Sequence, residues 1–164
     1  MGTPIKRAGK KIKKTATANV ISPVLRGGMP RTLGVRITAL SPKKVVGEMP
    51  IKPMHVNFNG NVNGGAIMAF GDVLGAAGAV ENRPLGYRGG TIESKTNFFV
   101  SGKGPVLLGV AIPLHIGRTT SVWQTTVRNS DKRVVAIVTQ TQIAIPGRPE
   151  AAPGLGKKRA AIRK

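Results

Sequence analysis

The chain has 164 residues, with 26 bases against 6 acids, a formal net charge of +20 and no cysteine. That length suits one domain with tails to spare. The missing cysteines exclude a disulfide scaffold, a thiol nucleophile and a cysteine metal site. The two histidines, His55 and His115, are too few and too scattered for a zinc site, so no metal is expected. Apolar residues are 40% of the chain but aromatics only 4%, which points to a core of small and β-branched side chains.

The charge is unevenly spread. Twelve of the 26 bases lie in residues 1–14 and 146–164, where the one acid is Glu150. Residues 1–30 are expected to be a basic, largely flexible segment and residues 147–164 a basic flexible tail, flanking a domain over 31–146. The tails read as solvated ends, or as contacts for an anionic surface such as nucleic acid. They lack the interleaved aromatics that stack on single-stranded bases. The basic N-terminus has no apolar core of a secretory signal, so the cytoplasm is the expected compartment. No membrane span is expected, because the one long apolar stretch, 62–80, contains five glycines, Asn63 and Asp72.

In chain order, Leu33–Leu40 alternates as a strand, Ser41-Pro42-Lys43 signals a turn, and Lys44–Ile51 reads as a strand paired with the first. Pro50 and Pro53 end it, since proline cannot donate to a ladder. An Asn-rich loop over 54–62 then enters a helix that Asn63 would cap. From Ala66 this helix has no clean polar face and is expected to be buried. Gly71, Gly75 and Gly78 each cost about 1 kcal/mol relative to alanine there, tolerable if a sheet wraps closely around the helix. Residues 82–90 read as an exit loop. Four strands follow, Thr91–Val100, Val106–His115, Thr119–Arg128 and Arg133–Ile145, with Pro113 predicting a bulge or bend. Their short connections make antiparallel hairpins. The plan is β-β-α-β-β-β-β, an α+β fold in which an antiparallel sheet curls around one helix.

The run His55-x-Asn57-x-x-Gly60-x-x-Asn63-Gly64-Gly65, followed by Asp72, resembles the hot-dog-fold acyl-CoA thioesterases, and within them the phenylacetic-acid-pathway group. That family's pattern is Asn, Gln or a similar residue, then His-Gly-Gly six residues on, then Asp or Glu nine residues after the His. Here Asn57 to Asn63 is six and Asn63 to Asp72 is nine. Thr91–Phe99 and His115–Thr120 are also similar to the family, and the resemblance covers about 33–145. It implies a hot-dog fold, a curved antiparallel sheet wrapped around one long buried helix. It also implies an acyl-CoA substrate with no separate cofactor, and subunits paired as a dimer or a dimer of dimers. One position departs from the pattern, since Asn63 stands where the family has His. Asn63 keeps a capping role and Gly64 keeps its N–H, while a noncatalytic acyl-CoA binder becomes the alternative reading.

Thioester hydrolysis needs a nucleophile or general base, an oxyanion donor and a place for the thiolate. Asp72 is the candidate for the first, a carboxylate whose charge is costly among apolar neighbours unless a partner stabilises it. The helix start offers free N–H groups and a positive dipole end, with Gly64 presenting its N–H unobstructed. Along one helix, however, Gly64 and Asp72 lie roughly 12 Å apart at 1.5 Å per residue. If both act on one carbonyl they must come from two chains. Asn57 would then orient the water or the carboxylate. The resemblance places Thr91 where a Ser or Thr supports the acid or the water. It places Phe98, Phe99, Lys103, Gly117, Arg118 and Thr119 in segments that contact the nucleotide and pantetheine of coenzyme A.

Overall fold

The structure is a computed structural model and describes residues 22–147. The expectations for residues 1–21 and 148–164, most of both basic tails, lie outside the described residues. Six strands form one antiparallel sheet: β1 Arg36–Ser41, β2 Lys44–Pro50, β3 Tyr87–Phe98, β4 Val106–Ile116, β5 Thr120–Asn129 and β6 Val134–Pro146. Their spatial order is β1-β2-β4-β5-β6-β3. A short helix, α1, covers Gly28–Leu33, and the long helix α2 covers Gly64–Asn82. The sheet wraps α2, which is the hot-dog arrangement.

The first helix lies where the sequence shows little periodicity. It ends at Gly34, whose backbone adopts φ 73° and whose N–H closes on the Arg31 carbonyl, a left-handed stop that suits glycine. Leu33, read from sequence as the start of a strand, is instead its last residue and packs into the core. The strand β3 begins at Tyr87, inside the expected exit loop, because Gly89 and Gly90 pair with Ala144 and Ile143 of β6. Gly89 lies so close to the Ile143 carbonyl that a Cβ would overlap it, so the first glycine of a pair that reads as a loop is what lets the strands meet. Pro113 sits at a register shift between Pro113 and His115, the bulge its missing donor predicts.

Packing explains the glycines of α2. Ile67, Phe70, Leu74 and Ala77 are buried against the sheet, and full burial of a Phe or Leu contributes about 1.5–3 kcal/mol. Between them, a Cβ on Gly71 would stand 2.5 Å from Val138, and one on Gly75 would stand 2.6 Å from Gln140. Gly78 lies flat against the Trp123 ring. The helix therefore approaches β5 and β6 closer than any side chain allows. It is not covered all round, however. Gly65 and Met68 are exposed and Asp72, Ala76 and Ala79 half-buried, a stripe at helical spacing that the chain's own sheet does not reach.

Alanine at Gly78 tests this packing. Intrinsic propensity favours Gly78→Ala by about 1 kcal/mol, but overlap with the buried Trp123 ring opposes it. Chemical denaturation is expected to show a net loss of about 1–3 kcal/mol. A gain would mean that the helix has room to spare.

Candidate active site

The loop before α2 is tied by its own asparagines. The Asn57 side-chain carbonyl accepts the N–H groups of Asn59 and Asn61 at 3.0 and 3.2 Å, and the Asn57 N–H donates to the Asn61 carbonyl at 2.8 Å. Asn57 thus closes a turn with its own side chain. Its amide NH2 remains for other partners. The Asn63 N–H donates to the His55 carbonyl at 2.7 Å, and the Asn63 side chain accepts the Gly65 N–H at 2.8 Å. That cap leaves the Gly64 N–H with no acceptor among the described residues. The end of the Phe98 ring lies over Gly64, 3.3 Å from where a Cβ would stand. Asn57, Gly64, Ile67, Phe98, Phe99 and Gly102 line a cavity of about 460 Å³ at this helix end.

Asp72 lies further along α2. Its Oδ1 accepts the Thr91 hydroxyl at 2.8 Å, and the Thr91 oxygen in turn accepts the Gln142 amide at 2.7 Å. The other carboxylate oxygen has no hydrogen-bond partner among the described residues. Register builds this chain of bonds: Thr91 pairs directly with Gln142 across β3 and β6, and a bulge at Ile92 follows at once. Bulges re-aim side chains. The neighbouring Gln140 donates its amide to the Asp72 carbonyl at 3.2 Å, its other side-chain atom buried without a partner. Gln140 and Gln142 are fully or nearly fully buried, and sequence reading missed both. Their signal was two amides at alternate positions, interleaved with Thr139 and Thr141, in a strand apolar on either side.

A second cavity, about 330 Å³, lies beside the second half of α2, lined among others by Ala76, Ala79, Thr91, Ile116, Gln142 and Ile143. Arg83, Gly89, Gly117 and Arg118 also line it. The predicted site residues therefore fall into two groups. Asn57, Asn63, Gly64, Phe98 and Phe99 gather at the helix start, while Thr91, which bonds Asp72 at mid-helix, lines the second cavity with Gly117 and Arg118. Lys103 and Thr119 line neither cavity. Lys103 is exposed and gives its backbone N–H to Asn129, and the Thr119 carbonyl accepts from Ala144. Among the described residues no three His, Asp or Glu side chains cluster as metal ligands, and no helix is long and apolar enough to cross a membrane.

The model of the thioesterase superfamily matches residues 59–136, the span from the asparagine loop to β6. Over that span the chain is similar to the thioesterase superfamily. A Bacillus subtilis relative that carries the esterase name ComA2 is 29% identical over 108 residues, 64% of this chain and 84% of its own. A thioesterase family protein from Silicibacter pomeroyi superposes with a TM-score of 0.71 at 27% identity, covering 74% of this chain and 92% of that one. The Escherichia coli PaaI protein shares the fold, with a TM-score of 0.68 at 20% identity over 74% of this chain and 87% of that one. The domain thus shares the hot-dog fold of these proteins.

His55 holds the helix-start loop in a pH-dependent way. It is buried, its Nδ1 accepts the Lys52 N–H at 3.2 Å, and its Nε2 has no partner. Burial, and then the Lys52 charge, hold its pKa below the ordinary value. The unfolded chain consequently binds the proton first as pH falls. The stability this group contributes is present above about pH 6.5 and is lost as pH drops from there toward its lower folded value. Melting temperatures across that window should fall in the wild type, and the fall should flatten in His55→Gln; equal slopes would remove His55 as the cause.

Proposed function

We propose that this thioesterase-superfamily hydrolase cleaves acyl-CoA thioesters in the cytoplasm at a site shared between two copies of the chain. The observation that carries the reading is the free oxygen of Asp72, held in place through Thr91 and Gln142, together with the uncommitted N–H of Gly64. The carboxylate takes a proton from water as the oxygen attacks the thioester carbonyl, or attacks that carbonyl itself. The developing oxyanion is met by the Gly64 N–H at the positive end of α2. The carbon–sulfur bond then breaks and the thiolate of coenzyme A leaves, protonated by Asp72 in the first route and by solvent in the second, where water then cleaves the acyl–Asp72 anhydride to free acid and carboxylate. Coenzyme A enters as part of the substrate, and no separate cofactor is needed.

Two surfaces support pairing. The edge strand β3 has 12 residues, of which only Tyr87 and Thr96 are even half-buried, and its free edge has no partner among the described residues. Long unpaired edges invite a further strand. Beside it lies the open stripe of α2, apolar apart from Asp72. A second copy laid antiparallel would cover both and bring its Gly64 toward Asp72, with Asn57 beside the water. The outward face of β4, where Leu108 and Ile112 are exposed, supports a further pairing into a tetramer.

Thiol release from a panel of acyl-CoAs tests the chemistry. Asp72→Asn is expected to lower kcat about 10²- to 10⁴-fold, and Thr91→Val to lower it less. Binding without turnover in the wild type would favour the noncatalytic reading opened by Asn63, and there Asn63→His should create activity.

The shared site has its own test. Gly64 is the first helical residue, where proline is well tolerated and supplies no N–H. Gly64→Pro should fold and lose about 10²- to 10³-fold in kcat. Mixing it with Asp72→Asn by refolding leaves one intact site in each mixed dimer, so roughly a quarter of wild-type activity should return if partners pair at random. No recovery would refute the shared site.

A further inference from the structure

The buried face of β6 changes character as it passes α2. Ala136 and Val138 are buried and apolar, whereas Gln140 and Gln142, the next two residues on that face, are buried amides. An amide in such a place is costly unless it is bonded. Gln140 gives its amide to the Asp72 backbone carbonyl. Gln142 makes one side-chain hydrogen bond among the described residues, from Nε2 to the Thr91 hydroxyl oxygen at 2.7 Å.

That bond has a direction. An amide NH2 only donates, a carboxylate only accepts, and a hydroxyl has a single proton to give. With Gln142 donating to the Thr91 oxygen, the Thr91 proton points to Asp72 Oδ1, 2.8 Å away. Thr91 itself is exposed, so without Gln142 its hydroxyl is free to turn to water. Register fixes the pair from both sides. Thr91 and Gln142 are direct partners across β3 and β6, and the bulge at Ile92 breaks the register at once. The carboxylate needs such a hold, because the terminal torsion of an aspartate is broad and two-fold and its two oxygens exchange by rotation.

We propose that Gln142 is a positioning residue. By donating to the Thr91 oxygen it sets the direction of the Thr91 hydroxyl, which pins Asp72 Oδ1 and leaves the other carboxylate oxygen as the reactive one. Its kinetic consequence rests on the thioesterase reading. Its effect on the Asp72 carboxylate does not.

Methionine keeps the unbranched length of glutamine and has no donor. In Gln142→Met, kcat on acyl-CoA should fall about 3- to 10-fold with KM unchanged, the scale of one hydrogen bond. In a Thr91→Val background the same change should have no further effect, because Gln142 acts only through Thr91. Gln142→Leu takes its place if the methionine variant does not fold. A Gln142 that only fills space would lower kcat equally in both backgrounds, or in neither, and either result would overturn the proposal. The carboxyl carbon NMR signal of Asp72 reads the same chain of bonds without turnover. It should move in Gln142→Met in the direction it moves in Thr91→Val. If the wild type hydrolyses no acyl-CoA, the enzyme reading falls and this signal decides alone. A shared shift would uphold the positioning role, and a signal unmoved by Gln142→Met would overturn it.

Discussion

Gly64 and Asp72 stand eight residues apart on one unbroken helix of 19 residues, and no rotation of side chains closes that separation. The free N–H and the free carboxylate oxygen are each held rigidly, one by the N-cap at Asn63 and the other by Thr91. A single chain therefore presents two halves that face different cavities. Any chemistry that uses both halves needs a second helix running the other way. The exposed stripe through Gly65, Met68 and Asp72 and the bare edge of β3 are the surfaces that such a helix and strand would cover.

The rigidity of the separation depends on how tightly the sheet holds α2. Glycine at positions 71, 75 and 78 lets Val138, Gln140 and Trp123 lie against the helix backbone. The same closeness lets Thr125 donate to the Gly71 carbonyl at 3.1 Å and Gln140 to the Asp72 carbonyl. These are bonds from the sheet to the middle of a helix, where the backbone is already paired. They tie the turn that carries Asp72 to β5 and β6. The arrangement is not free: the buried Gln140 side-chain oxygen has no partner, and an unmet buried polar group costs about 1–3 kcal/mol. An apolar residue there would pack without that cost but would leave the Asp72 turn untied.

Much of this was legible in the sequence because it follows from local rules. The succession of strands, the capped helix and the close-packed glycines come from alternation, from Asn63 and from three glycines at helical spacing, but the link over 101–105, read as a hairpin, joins β3 to β4, which do not pair: β3 pairs with β6 and β4 with β2 and β5. The Gly64–Asp72 separation follows from helix rise alone. What was not legible depends on register and on which side of an element is left bare. Gln142 supports Thr91 only because β3 and β6 pair in one register with a bulge at Ile92, and nothing in either strand alone announces that pairing. The start of β3 was hidden for a related reason, since Gly89-Gly90 has the composition of a turn and the contacts of a strand. The exposed stripe of α2 was hidden by its own apolarity. Periodicity reports a helix without a polar face, not whether the cover comes from the same chain.

The two cavities differ in chemistry as well as position. At the helix start the walls are neutral and aromatic, with Phe98 and Phe99 beside the free N–H. Around Thr91 they mix alanines and glycines with Ile116, Ile143 and Gln142, and include Arg83 and Arg118. If two copies meet with their α2 helices antiparallel, each shared site has the aromatic cavity of one chain on one side and the arginine-lined slot of the other on its opposite side. The strongly basic balance of the domain draws anionic ligands generally, whereas the pairing of one neutral and one cationic cavity is what would tell the two ends of such a ligand apart.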